Sequence, residues 1–213
     1  ADYAKGVRAM AHLGDWLTVN ISSPNTPGLR ALQDEGALDA LLAAVAAARA
    51  GTDATSPKAA AAAGPRPAGP PIFLKVAPDL DREQIDGVVR AAVAHGIDAI
   101  IIGNTTVSRP PLRSRHAGEG GGLSGAPLRA LALARLRDFR AATGGQLPLI
   151  AAGGIGSADD AWDRLAAGAS LVQLYSALVY EGPWLARRIV SGLVERLDRS
   201  GLAGIADLTA SAG

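Results

Sequence analysis

Five short apolar runs punctuate the chain, at 16–21, Ile72–Val76, Ala99–Ile102, 147–151 and 171–175, and a helical pattern follows each of them. The runs are near-continuously apolar rather than alternating. A strand of that kind is buried on both faces, as in a parallel sheet covered by its own crossover helices. The segments between them carry helix punctuation: Asp34 before 35–49, Asp81 before 82–95 with Gly96 after it, and Ser157 before 158–167 with Gly168 after it. Segment 127–143 opens on proline and ends at Gly144, and 183–200 does the same with Gly201. Residues 2–13 read as a helix leading into the first strand. The expected order is α-βα-βα-βα-βα-βα, a series of right-handed crossovers. Five such units make either an open doubly wound sheet or five-eighths of a (β/α)8 barrel, and length does not decide between them.

Composition narrows the function classes. The 213 residues are 48% hydrophobic and 19% charged, enough for one sizeable core, and 1–213 reads as a single domain. With no cysteine there is no disulfide, thiolate metal site or cysteine nucleophile. A net charge of +1 lacks the footprint of a nucleic-acid binder. No apolar run approaches the roughly 20 residues of a membrane span. His12, His95 and His116 are scattered without metal-ligand spacing, so no metal is expected. The stretch at about 51–71 is low-complexity Ala/Pro/Gly and reads as a disordered surface insertion. It joins a helix to a strand, which in a barrel puts it on the face opposite the chemistry.

The strand ends carry the informative residues. The first run closes on Asn20-Ile21-Ser22-Ser23-Pro24-Asn25-Thr26-Pro27-Gly28-Leu29, with Asn20 still inside the strand pattern, where an amide is depleted unless something polar needs it. The second, Phe73-Leu74-Lys75-Val76, puts an ammonium between apolar neighbours, and only three of the 21 basic residues are lysines. Such a group is costly unless it meets an anion or an electron-rich ligand. The third ends Gly103-Asn104-Thr105-Thr106. Three successive strands thus end in ligand-type residues, at the C-terminal ends where barrel sites lie. The fourth ends Gly153-Gly154-Ile155-Gly156 and the fifth Gln173-Leu174-Tyr175-Ser176, each before a helix start able to offer N–H groups to a phosphate. Phosphate sites on the last two strands favour a barrel over an open sheet. The formal G-x-G-x-x-G at 120–125 follows a polar loop, not a strand. It reads as a loop packed near a ligand rather than a dinucleotide fingerprint.

Taken in order, NISSPNTPGLR, FLKVAPDL, GNTTVSRP, GGLSGAPL, IAAGGIGS and GASLVQLYSALVYEGP make the chain, over about residues 1–200, resemble the C-terminal part of the quinone-linked dihydroorotate dehydrogenases, FMN-dependent (β/α)8 barrels. The resemblance implies oxidation of (S)-dihydroorotate to orotate in pyrimidine synthesis, with hydride passing to FMN and electrons to a membrane quinone. By motif position it implies Ser23 as the base, with Thr26 and a water as relay members. Asn20, Asn25, Asn104 and Thr105 would hold the substrate. Asn20, Lys75, Gly103, Gly125, Gly154, Tyr175 and Ser176 would hold FMN, Lys75 by its N1/O2 edge. Gly103 departs from the hydroxyl residue common in the family, so only a backbone contact is implied there. Serine rather than cysteine in the first motif marks the quinone-linked class. The resemblance also implies a cytoplasmic enzyme peripheral on the membrane. It further implies that the family's first barrel strands and its N-terminal quinone-binding extension lie outside this chain, which supplies about the last five βα units. The last two strand ends alone leave another FMN- or phosphate-binding barrel oxidoreductase open. A five-stranded part by itself, with two unpaired edges, is expected to be inactive.

Overall fold

A computed structural model describes residues 2–52 and 69–210. Most of the low-complexity stretch at 51–71 lies outside the described residues. The strands are β1 (Leu17–Asn20), β2 (Ile72–Val76), β3 (Ala99–Ile102), β4 (Leu149–Ala152) and β5 (Leu171–Gln173). The helices are α1 (Asp2–Met10), α2 (Glu35–Ala50), α3 (Arg82–Ala94), α4 (Arg129–Thr143), α5 (Ala158–Ala166), α6 (Ser176–Glu181), α7 (Leu185–Ser200) and α8 (Ile205–Ala210). All four strand pairings are parallel and the sheet order is β1-β2-β3-β4-β5. That order settles the choice the length left open. A doubly wound sheet reverses direction at a switch point, whereas strands added one after another in the same sense are barrel units.

Register sorts the side chains into two layers. Val19, Ile72, Leu74, Val76, Ile100, Ile102, Leu149 and Ala151 face outward and join Leu38, Leu42 and Val45 of α2, Val88 and Ala92 of α3, and Leu136 and Phe139 of α4 in the main core. Each such leucine, isoleucine or phenylalanine, fully removed from water, contributes about 1.5–3 kcal/mol of transfer free energy. Neighbouring helices touch in sequence, α1 with α2, α2 with α3, α3 with α4 and α4 with α5, as a ring on one side of the sheet requires. The opposite layer is smaller: Phe73, Ala99, Ile101, Ile150 and Ala152. Along it one register row reads Asn20, Lys75, Ile101, Ile150 and Leu171. The two polar members of that row are therefore lateral neighbours on the inner face.

Helix signals act largely as expected. Asp81 accepts from Gln84 N (2.9 Å) while the Gln84 side chain accepts from Asp81 N (3.0 Å), a reciprocal capping box. Ser157 accepts from Asp160 N (3.1 Å). Asp34 is the N-cap of α2 in extended conformation, but its side chain makes no cap bond. The segment expected to run from 183 to 200 starts at Leu185, and a separate helix α6 precedes it, because Gly182 (φ 77°) and Pro183 break the chain between them.

At the N-terminal ends of the strands, Arg49 is almost wholly buried. It donates to Asp98 Oδ2 (2.5 Å) and Gly96 O (2.8 Å), and Asp98 Oδ2 also accepts from Ile72 N (2.8 Å). This ion pair ties α2 to the entrances of β2 and β3, on the side of the sheet away from the strand ends of interest.

Candidate functional site

The C-terminal ends of β1, β2 and β3 bring together an amide pair, a serine and an ammonium. Asn20 Oδ1 accepts from both Ser22 N (3.2 Å) and Ser22 Oγ (2.8 Å), which fixes the amide orientation and leaves Nδ2 to donate elsewhere. Ser22 Oγ in turn accepts from Asn104 Nδ2 (2.9 Å), and Asn104 Oδ1 accepts from Thr105 N (2.9 Å). Ser22 is fully buried and is thus the hinge pin between the two asparagines. Sequence reading passed over it. Its only signal was adjacency to Ser23, and which of two neighbouring serines turns inward depends on the turn after the strand.

Ser23 itself is half-buried. Its Oγ accepts from Asn25 N (3.3 Å), a short serine turn, and its hydroxyl proton is not committed to any described acceptor. Thr105 is half-buried, and its Oγ1 is inaccessible with no hydrogen-bond partner. Lys75 is half-buried, makes no ion pair or hydrogen bond with a described residue, and burial pushes its pKa below the usual lysine value. Buried hydroxyls and ammonium groups are ordinarily satisfied. The unsatisfied Thr105 hydroxyl and the partly desolvated, unpaired Lys75 ammonium lie among oriented amides, groups of the kind that meet a polar, electron-rich ligand.

The glycine-rich loop closes over these groups. Thr106 and Leu123 form an antiparallel bridge, with Thr106 N donating to Leu123 O (3.0 Å) and Leu123 N to Thr106 O (2.8 Å). A Cβ on Gly122 would lie 1.9 Å from Thr105 Oγ1 and 3.0 Å from Pro24 Cγ, and one on Gly121 3.2 Å from Asn25 Oδ1. The loop thus spans from the β1 end toward β5, where Ser176 Oγ donates to Ser124 Oγ (2.8 Å) and a Cβ on Gly125 would be 3.6 Å from Ser176 Cβ.

Gly153 and Gly154, at the end of β4, both have left-handed φ (104° and 71°), and a Cβ on Gly154 would come within 2.5 Å of the Arg129 backbone. The loop therefore rides directly on the start of α4. Arg164, 1% exposed, holds it by donating to Gly153 O (3.1 Å) and Arg129 O (2.8 Å). Burial lowers the Arg164 pKa, against the opposing pull of Asp160 and Asp163. Asp160 accepts from Gly156 N (3.0 Å) and pairs with Arg129 (2.7 Å). The ring of Tyr175 is 81% exposed, and its carbonyl accepts from Leu178 N in the first turn of α6 (2.9 Å). Gln173, which shares register with Ala152, is a strand amide with the same signal as Asn20 that sequence reading did not single out.

Gly103 has φ 117°, and a Cβ there would sit 2.3 Å from Ala152 O, so β3 and β4 approach too closely for any side chain. Gly103→Thr, which restores the hydroxyl residue common in the resembled family, is expected to cost more than the roughly 1–3 kcal/mol of an αL strain alone, read as a lowered urea midpoint. A midpoint equal to that of the parent protein would show that the strand ends move apart freely.

The histidines lie elsewhere. His95 contacts Asp39 (2.7 Å), His116 is 3.5 Å from Glu119, and His12 is exposed. Among the described residues no group of three or more His, Cys, Asp or Glu is placed to hold a metal ion, and no helix is long and apolar enough to cross a membrane.

Sequential parallel units, with polar groups gathered at their C-terminal ends and a glycine loop on the fourth, define a segment of a (β/α) barrel. The family model for dihydroorotate dehydrogenase matches residues 1–197, and the chain belongs to that family. It is 61% identical to the dihydroorotate dehydrogenase (quinone) of Sphingopyxis alaskensis over 97% of its own length and 54% of the relative's. It is 58% identical to that of Novosphingobium aromaticivorans over 99% and 56%. A crystal structure of the Eimeria tenella enzyme in complex with ferulenol superposes with a TM-score of 0.88 at 36% identity, over 97% of this chain and 56% of the other. The chain spans about half the length of the curated relatives it matches.

Proposed function

We propose that the chain contributes to a quinone-linked dihydroorotate dehydrogenase. The protein would oxidise (S)-dihydroorotate to orotate for pyrimidine synthesis, with FMN as the resident cofactor and a membrane quinone as the final acceptor. The carrying observation is the convergence of a serine hydroxyl, two oriented amides, an unpartnered hydroxyl and an unpaired ammonium at three successive strand ends.

The residues fit a flavin and a planar carboxylate substrate. Asn20, Asn25, Asn104 and Thr105 would hold the substrate ring and carboxylate in a near-attack geometry. Ser23 Oγ would take the C5 proton as its own hydroxyl proton passes to Thr26 and a water, while the C5=C6 double bond forms and the C6 hydrogen leaves with its electron pair. The Asn25 N–H on the Ser23 oxygen favours its charged form. FMN supplies, when bound, the hydride acceptor. Lys75, with Asn20 beside it, would place positive charge against the flavin edge where electron density collects. Gly103, Gly125, Gly154, Tyr175 and Ser176 would hold the remainder of the cofactor, the last three around its phosphate. The protein would act at the cytoplasmic membrane surface, where its quinone resides.

The intact protein is expected to be yellow, to bleach when dihydroorotate is added without air, and to recover colour with a soluble quinone. Orotate should shift the flavin spectrum. A protein that stays colourless with added FMN, or a flavin that dihydroorotate does not reduce, would overturn the reading. Reduction by another substrate without an orotate shift would assign it to a different flavin barrel.

A further inference from the structure

We infer that Arg30 is a positioning residue for the reaction proposed above, holding Ser23 in line with the Asn104–Thr105 strand end. The inference rests on that reading. Arg30 sits in a 3-10 turn (Leu29–Gln33) between β1 and α2. Its guanidinium donates in three directions: Nε to Ser22 O (3.0 Å), Nη1 to Asp79 Oδ2 (2.9 Å) and Nη2 to Thr105 O (2.8 Å). The first carbonyl belongs to the residue immediately before Ser23, and the third to Thr105 itself. The middle partner lies beyond the end of β2. One side chain therefore fixes the relative height of three successive strand ends.

Asp79 completes the clasp. Its Oδ2 takes Arg30 Nη1 and Val107 N (3.4 Å), and its Oδ1 takes the Thr106 hydroxyl and Ser108 Oγ (3.3 Å). The carboxylate is thus shared between the β1 loop, through Arg30, and the β3 loop directly. At 22% and 17% side-chain exposure the pair is better shielded than a surface bridge. Gln33, 5% exposed, stiffens the base of the turn: its side chain donates to Arg30 O (3.3 Å) and accepts from Ala77 N (2.9 Å).

Three in-plane donors at fixed angles are a property of guanidinium. A lysine ammonium is a compact charge that cannot meet all three acceptors. Rate depends steeply on alignment, and a displacement of about 1 Å costs about 100-fold. The Arg49–Asp98 pair offers an internal control, since it is equally well bonded but lies at the N-terminal ends of the strands, where barrel residues serve stability.

The test is anaerobic stopped-flow reduction of the intact, FMN-loaded protein by saturating dihydroorotate, with bound flavin and Tm recorded for each variant. Arg30→Ala and Arg30→Lys are expected to slow reduction by about 100-fold, with bound flavin and quinone reoxidation of the pre-reduced protein within threefold of wild type. Arg49→Ala is expected to lower Tm while reduction stays within threefold. Should Arg30→Ala not fold, the near-isosteric Asp79→Asn decides, with an expected slowing of about 10-fold. Wild-type reduction rates in Arg30→Ala or Asp79→Asn overturn the inference. So does recovery in Arg30→Lys, which would make charge alone sufficient, and so does an equal slowing in Arg49→Ala. Wild-type protein that dihydroorotate does not reduce overturns the proposed function, and this inference with it.

Discussion

Ser23→Ala is expected to slow flavin reduction by dihydroorotate by 10²–10⁴-fold, the usual range for loss of a positioned proton acceptor, while FMN and orotate still bind. The effect should be large because nothing nearby can substitute. Among the described residues the Ser23 hydroxyl has no histidine or carboxylate partner, and its Oγ accepts only from the Asn25 N–H. Ser22, next in the chain, is committed at both ends to Asn20 and Asn104 and cannot turn outward without breaking their orientation. A companion substitution gives the sign of the pH dependence. A hydroxyl is a weak proton acceptor, so reduction by the wild type should quicken as pH rises. In Ser23→Cys the thiol, with an ordinary pKa near 8.5, should bring that rise to lower pH. Stopped-flow traces across pH check both. An Ala variant that reduces at the wild-type rate would remove Ser23 from the mechanism.

What the sequence could show divides by the range of the interaction. β2 and β3 coincide with the expected runs because the helix-facing side of each is wholly buried and the other side at least half-buried, so hydrophobicity largely marks their ends. β1 is shorter than expected because Trp16 is 53% exposed and pairing begins at Leu17, whose N–H reaches Pro71 O. β4 begins two residues late because Pro148 has no N–H to give, although its carbonyl still accepts from Ile100 N. In the site, the residue types at the strand ends were readable one motif at a time. The bonds between motifs were not: Asn104 to Ser22 spans 82 positions, and Arg30 to Thr105 spans 75. Arg30 and Asp79 each looked like ordinary loop residues, and only parallel pairing of β1, β2 and β3 makes them partners. The paired glycines at 153–154 show the converse. A phosphate-binding reading drew attention to them, yet their contact with Leu128 and Arg129 demands glycine before any ligand is considered.

Lys75→Met is expected to move stability and function in opposite directions. The ammonium stands on the inner face of β2 in register with Asn20 and Ile101, loses hydration there, and has no acidic partner among the described residues. An unbranched apolar side chain of similar length removes that desolvation cost, so the cofactor-free protein should gain stability, though less than for a fully buried charge because water still screens the half-buried ammonium. The gain should depend on pH. Because burial lowers the folded-state pKa of Lys75, the unfolded chain holds the proton more tightly between that value and the ordinary lysine value of about 10.4. In that window wild-type stability rises with pH. The advantage of the Met variant is therefore full below the folded-state pKa and fades as pH climbs through the window. Urea titrations of both proteins at neutral and alkaline pH measure it. With FMN bound the balance should reverse. Flavin reduction should slow by about 10²–10³-fold, the cost of removing one preorganised donor from a site where negative charge develops. Equal stability of the two cofactor-free proteins at neutral pH would show that the ammonium is already satisfied. It would then owe its place on the strand to the sheet rather than to a ligand.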